Sequence, residues 1–88
     1  MNLFLTKKFR KEFARRIEGT PMEAELLELM DMLVKDAPLP RNYRDHALAG
    51  DWQGYRDCHL RGDMVVIYRV EGDTVYLTRI NTHSELFG

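Results

Sequence analysis

Eighty-eight residues, 44% apolar and 31% charged, supply one hydrophobic core and not two, so a single domain over 1–88 is expected. One cysteine excludes an internal disulfide, and no apolar run approaches the ~20 residues of a membrane helix; both fit a reducing cytoplasm, and MNLFLTKKFRKEF has too short an apolar patch for a signal peptide. The formal net charge of −1 hides a segregation: residues 7–16 hold six lysines and arginines against Glu12 alone, and residues 18–36 hold six acids against Lys35 alone.

In chain order, Asn2–Thr6 (NLFLT) is a short apolar stretch predicted to be a strand. Lys7–Glu18 is predicted as a helix, because Phe9, Phe13 and Ile17 recur every four residues on one side with cations on the other; Gly19 ends it. Thr20-Pro21-Met22-Glu23 combines a capping threonine, a proline at the first helical position and a glutamate three residues after the cap, so a second helix starts there. Its stripe of Met22, Leu26, Leu29, Met30 and Leu33 has core spacing, and it stops before Ala37-Pro38-Leu39-Pro40. Beyond the prolines the pattern changes. Gly54–Leu60, Met64–Val70 and Thr74–Ile80 are predicted strands, with turns at Gly62-Asp63 and Glu71-Gly72-Asp73. The nearly continuous apolar run MVVIYRV belongs centrally in the sheet. On the first of these strands Tyr55, Asp57 and His59 share one face, and Cys58 and Leu60 point to the other. The expected architecture is α+β: two N-terminal helices on one face of an antiparallel sheet, with the opposite face free for a partner.

All three histidines lie in the second half of the chain: His46 in RDHALAGDW, His59 in GYRDCHLRGD followed by Asp63, and His83 in LTRINTHSELFG preceded by Arg79. Imidazoles that exchange protons near neutral pH, beside a fixed cation, suit cleavage of a phosphodiester by proton transfer. Each residue alone has a plainer role. His46 fits a solvated loop, His59 the polar side of a strand, and His83 the neighbourhood of a capping Thr82 or Ser84. Arg79 fits a side chain lying over the sheet, and Asp63 a turn former. Convergence at loops and the ends of neighbouring strands, where sites are built, raises the group above its members. The basic block likewise has two readings, a partner for the acidic second helix or a face that contacts phosphates. HxxxH, HxH, Walker, Rossmann and Ser/His/Asp patterns are absent, so neither a metal nor another cofactor is expected.

The basic KKFRKEFAR helix, the segments RDHALAG, GYRDCH and THSELF, and their order along essentially the whole chain resemble the YafQ branch of the RelE/ParE toxin superfamily. The resemblance implies a RelE-like fold: a strand, two helices, an antiparallel sheet and a short C-terminal helical turn. It also implies a bacterial toxin of a type II toxin–antitoxin pair, a metal-independent endoribonuclease cleaving mRNA on the translating ribosome. Its partners would be a cognate antitoxin, the ribosome with its rRNA, and mRNA, with no membrane; the toxin would be monomeric alone and hetero-oligomeric with antitoxin. The family's proton-transfer histidines fall on His46, His59 and His83, and its acid falls on Asp63. Its charge-stabilising arginine falls on Arg79 and its terminal aromatic, a platform for a base, on Phe87; Lys7, Lys8, Lys11 and Arg15 would hold RNA phosphates. The chain departs from the family pattern at Met64, where members often carry Trp, and at Ile80-Asn81, where many have Thr-Gly; Asn81 still permits the turn because it tolerates positive φ. Two other functions stay open. One is a ParE-like toxin that inhibits a protein without RNA chemistry and needs no three histidines; the other is a small RNA- or protein-binding module with solvated ones.

Overall fold

Thr6 ends the first strand and starts the first helix: its Oγ1 accepts from Phe9 N at 3.1 Å and donates to the Thr78 carbonyl at 2.8 Å. In a computed structural model describing residues 1–88, β1 (Asn2–Leu5) leads into α1 (Lys7–Arg16) and α2 (Met22–Val34). β2 (His46–Ala47), β3 (Arg56–His59), β4 (Met64–Glu71), β5 (Thr74–Thr82) and α3 (His83–Phe87) follow. α1 buries Phe9, and Ile17 at its C-cap is buried as well; α2 buries Leu26, Leu29 and Leu33, while Phe13, Met22 and Met30 of the predicted stripes are half-buried. Thr20 Oγ1 accepts from Met22 N at 3.2 Å and the Glu23 carboxylate from Gly19 N at 2.9 Å, but α2 starts at Met22 with Pro21 at its cap position, one residue later than predicted, so these bonds brace the entry turn without forming the expected reciprocal capping pair. α2 ends in a left-handed residue, Asp36 (φ 54), and the bonds Asp36 N to Leu33 O and Ala37 N to Met32 O close a Schellman turn before the prolines.

The five strands run in the order β1-β5-β4-β3-β2. MVVIYRV is central, as its composition requires: Val65, Val66 and Ile67 are inaccessible on both faces. The sheet is mixed rather than antiparallel, because β1 pairs parallel to β5, with Asn2 opposite Thr74 and Leu5 opposite Leu77. The chain between those two strands is long, as a parallel pair requires: α1, α2 and the other three strands intervene. His46, expected in a loop, lies in a two-residue edge strand paired antiparallel to β3. The last strand extends two residues beyond Ile80 to Thr82, which caps the predicted terminal helical turn by accepting from Glu85 N at 3.3 Å.

Phe9, Ile17, Leu26, Leu29, Cys58, Val66 and Tyr68 share the main core, between the helices and one face of the sheet. Cys58 is buried there, and burial raises its thiol pKa, so it is an inert core residue. The opposite face is not free as expected. Val65, Ile67 and Leu86 form a second apolar cluster with Leu48, Trp52, Tyr55 and Phe87, so α3 and the segment before β3 cover part of it. No helix is long and apolar enough to cross a membrane.

Candidate active site

Asp45 anchors the segment that opens the site. Its Oδ1 accepts from the Tyr68 hydroxyl at 2.5 Å and Arg56 Nε at 3.2 Å, and its Oδ2 from Arg56 Nη2 at 3.0 Å. Burial alone would raise this carboxyl's pKa, but the bonds from Arg56 and Tyr68 outweigh it and hold the group below the usual range. Arg44 precedes it in a left-handed conformation (φ 49, ψ 42), and His46 follows it into β2.

The β2–β3 register places His46 directly opposite Asp57, and strand alternation puts His59 on Asp57's face. Asp57 is 2% exposed. His46 Nδ1 lies 3.0 Å from Asp57 Oδ1 but directs its hydrogen bond to the Arg44 carbonyl at 2.8 Å; His59 Nε2 is 3.7 Å from the same Oδ1. Proximity there is not hydrogen bonding, and Oδ1 is left without a donor. Burial raises the Asp57 pKa, while His46, His59 and His83 each pull it down, so all three imidazoles act on this one carboxylate. The His46 and His59 rings stack with centroids 6.2 Å apart and planes 22° apart. Burial lowers the pKa of His59, and the nearby Arg44 guanidinium adds to the effect against the pull of Asp57. His46 is 55% exposed and His59 13% at the side chain, so one ring meets solvent and the other sits behind it.

His83 is the first residue of α3 and is exposed. Its backbone N donates to the Asp63 carbonyl at 3.0 Å, which ties the β3–β4 turn to the helix. Asp63 itself is exposed, and this backbone bond is what it contributes to the site. The His83 ring packs on half-buried Phe87, with centroids 4.8 Å apart.

Arg79 is engaged elsewhere. It pairs with Ile67 on one side of the central strand as Asp57 pairs on the other, so the two backbones lie two strands, or roughly 10 Å, apart. Its Nε and Nη2 donate to Glu12 at 2.9 and 2.8 Å, and Glu12 also accepts from Ile80 N at 3.1 Å and Asn81 Nδ2 at 2.9 Å. β1 ends at Leu5, so β5 beyond Leu77 has an unpaired edge that Glu12 satisfies. Burial would raise the Glu12 pKa, but the bonds from Arg79, Asn81 and Ile80 prevail and hold it low. Asn81 therefore lies buried in extended strand, and the positive φ its type allowed is not used. Met64 faces the helices in the main core, so this position offers no platform to a base.

Lys8, Lys11, Arg15, Arg16 and Arg79 line a hollow of about 350 Å³ with Glu12, Asn81 and Glu85, five cations against two carboxylates. No ion pair joins the cations of α1 to the acids of α2, whose Glu25 is paired with Arg61 instead. Of the two readings of the basic block, mutual neutralisation is therefore not realised.

Sequence spacing revealed no metal-ligand set, yet the fold assembles one candidate: His46, Asp57 and His59 offer ligand atoms within 4.8 Å of one another. Two imidazoles and a carboxylate suit zinc or copper. The pattern search misses it because its members come from two paired strands. Asp57, Arg44, Asp45 and Glu12 were also not singled out from sequence. The alternation of Asp57 with His59 was visible, but the register that sets it against His46 was not.

A five-stranded sheet with two helices on one face, and two imidazoles set against a buried acid on the other, defines a small α+β domain with a histidine–carboxylate site. The family described as bacterial toxin of type II toxin–antitoxin system, YafQ, matches residues 1–88, and this chain belongs to that family. It is 42% identical over 65 residues to the mRNA interferase toxin YafQ of Escherichia coli K12, covering 73% of this chain and 71% of that one. The copper-bound structure of a mutant toxin from Helicobacter pylori superposes with a TM-score of 0.91 at 38% identity, covering 99% of each chain. The E. coli DinJ–YafQ complex gives a TM-score of 0.85 at 32% identity, over 99% of this chain and 98% of that one.

Proposed function

We propose that this toxin is an endoribonuclease that cleaves mRNA on the translating ribosome and is neutralised by a cognate antitoxin. The observation that carries the reading is the pair His46 and His59 set 3.0 and 3.7 Å from one oxygen of the buried Asp57 carboxylate, with His83 adding its pull on the same group. The E. coli relative's name as an mRNA interferase and the DinJ–YafQ complex support the substrate and the partner.

In the reaction, a base removes the proton of an RNA 2′-OH and O2′ attacks the adjacent phosphorus. The bond to the 5′ oxygen breaks, and an acid protonates that oxygen. The products are a 2′,3′-cyclic phosphate and a free 5′-OH. A histidine with a free pKa of ~6.5 serves either role near pH 7. His46 and His83 are the exposed imidazoles and therefore the pair that reaches substrate, while His59 and Asp57 set the field behind them. Asp63 holds the start of α3 in place through its carbonyl. Phe87, packed against His83, offers its remaining ring surface to a base. Arg79 keeps its charge but is committed to Glu12, so it supports β5 and adds to the cationic hollow. Lys7, Lys8, Lys11 and Arg15 hold rRNA or mRNA phosphates along α1.

The test is induction of the chain without antitoxin, comparing wild type with His83→Ala at matched expression. Growth arrest by wild type and relief by the variant, with a fall of ~10²–10⁴ in cleavage rate, are expected from loss of a proton-transfer group. Equal toxicity of the two would favour a ParE-like inhibitor of a protein target and sink the ribonuclease assignment.

A further inference from the structure

One residue touches both stacked imidazoles. Arg44 accepts from His46 Nδ1 through its carbonyl at 2.8 Å, and its Nη2 meets His59 Nδ1 at 3.2 Å. We propose that Arg44 is the positioning residue of this site, locking His46 and His59 in opposite tautomers. A carbonyl oxygen accepts and never donates, so His46 Nδ1 carries the proton and the lone pair of the neutral ring moves to Nε2. A guanidinium donates and never accepts, so His59 Nδ1 holds the lone pair and its proton sits on Nε2, the nitrogen 3.7 Å from Asp57 Oδ1. The pair thus presents one base-ready nitrogen on the exposed ring and one N–H held inside.

The backbone is set for this double duty. Arg44 is left-handed at φ 49, a conformation that side chains other than glycine, asparagine and aspartate seldom adopt. It is held from both sides: Arg44 N donates to the Arg41 carbonyl at 2.9 Å, and Asp45 is pinned by Arg56 and Tyr68. An unfavourable backbone state fixed by its neighbours, with both polar ends of the residue spent on imidazoles, marks a constraint that serves the site. Arg44, Asp57 and His83 are the other charged or titratable groups acting on the stacked rings.

The inference deepens the ribonuclease reading, which gives the tautomers their use, but the geometry stands without it. The experiment is long-range 1H–15N correlation of the histidine rings in the ¹⁵N-labelled full chain, with chelator present, about two pH units above histidine's ordinary pKa of ~6.5 so that the rings are neutral. Wild type should show His46 protonated on Nδ1, against the usual preference of histidine in water, and His59 protonated on Nε2. Arg44→Gly keeps the left-handed backbone and the carbonyl while removing the guanidinium. There His46 should keep its tautomer and His59 should lose its single state, with Arg44→Lys restoring it by supplying a donor. A His46 proton on Nε2 in wild type, or a His59 signal unchanged in Arg44→Gly, overturns the proposal. If Arg44→Gly does not melt cooperatively, Arg44→Asn, which also tolerates the left-handed backbone and lacks the guanidinium, takes its place, and a His59 signal unchanged there overturns the proposal. Tautomers as stated in a protein that cleaves no mRNA would overturn the ribonuclease reading and leave this one standing.

Discussion

Replacing Glu12 with alanine isolates the interaction that fixes the end of β5. The carboxylate is 10% exposed and accepts four hydrogen bonds, two from an Arg79 side chain that is 21% exposed and one each from Ile80 N and Asn81 Nδ2. Removing one member of a buried ion pair leaves the other desolvated and costs about 3–5 kcal/mol. Four separate bonds to a charge at ~1.5–3 kcal/mol each would give more, but Arg79 recovers some water, so the lower range applies. At ~4–8 °C per kcal/mol for a domain of this size, Tm should fall by roughly 12 °C or more. Arg79→Ala should cost less, because Glu12 keeps Ile80 N and Asn81, and the double variant should be less destabilised than the sum. The sign with pH is also fixed. The folded pKa of Glu12 is lowered, so its stabilisation is full above the unfolded value of ~4.3 and is lost as pH falls through the folded one. Melting curves of the three variants from pH 7 to pH 3 measure all of this. A Tm loss below about 4 °C with an unaltered acid limb would refute the reasoning.

Asp57→Asn removes a buried charge whose Oδ1 has no hydrogen-bond donor, so Tm should hold or rise while cleavage falls, and a large loss of stability would show that the carboxylate is structural. Reversing charge at Lys8, Lys11 and Arg15 should weaken ribosome co-sedimentation and flatten its salt dependence without lowering Tm, since none of the three forms an ion pair; affinity and salt slope equal to wild type would move docking to Arg41, Arg44, Arg56 and Arg61. Toxin stripped with a chelator should retain single-turnover cleavage on ribosomes returned to their normal Mg²⁺, and added copper or zinc should inhibit by displacing the imidazole protons that face Asp57 and tying up both rings; activity lost on stripping and restored only by zinc or manganese would make the cluster a metal centre.

The fold was legible where local patterns and core burial agree. The Phe9/Ile17 and Leu26/Leu29/Leu33 stripes and the apolar run of β4 each name their element, because a buried face must repeat with the element's own period. What stayed hidden depends on pairing between distant segments. The parallel placement of β1 follows from which edge a four-residue strand joins, which nothing in NLFL states. The role of Asp57 follows from the β2–β3 register, and the engagement of Arg79 from where β1 stops and α1 crosses the exposed edge of β5. Histidines in the chain's second half marked the neighbourhood of the site. The acid they share lay two residues before His59, on the face the strand pattern had already assigned to it.

Primer extension on cellular mRNA after induction tests the central claim most directly. Wild-type toxin should give cleavage confined to translated regions and in frame with the codons, and His83→Ala at matched expression should not. Arrest without new mRNA ends, or ends that ignore the reading frame and appear equally in untranslated RNA, would contradict it.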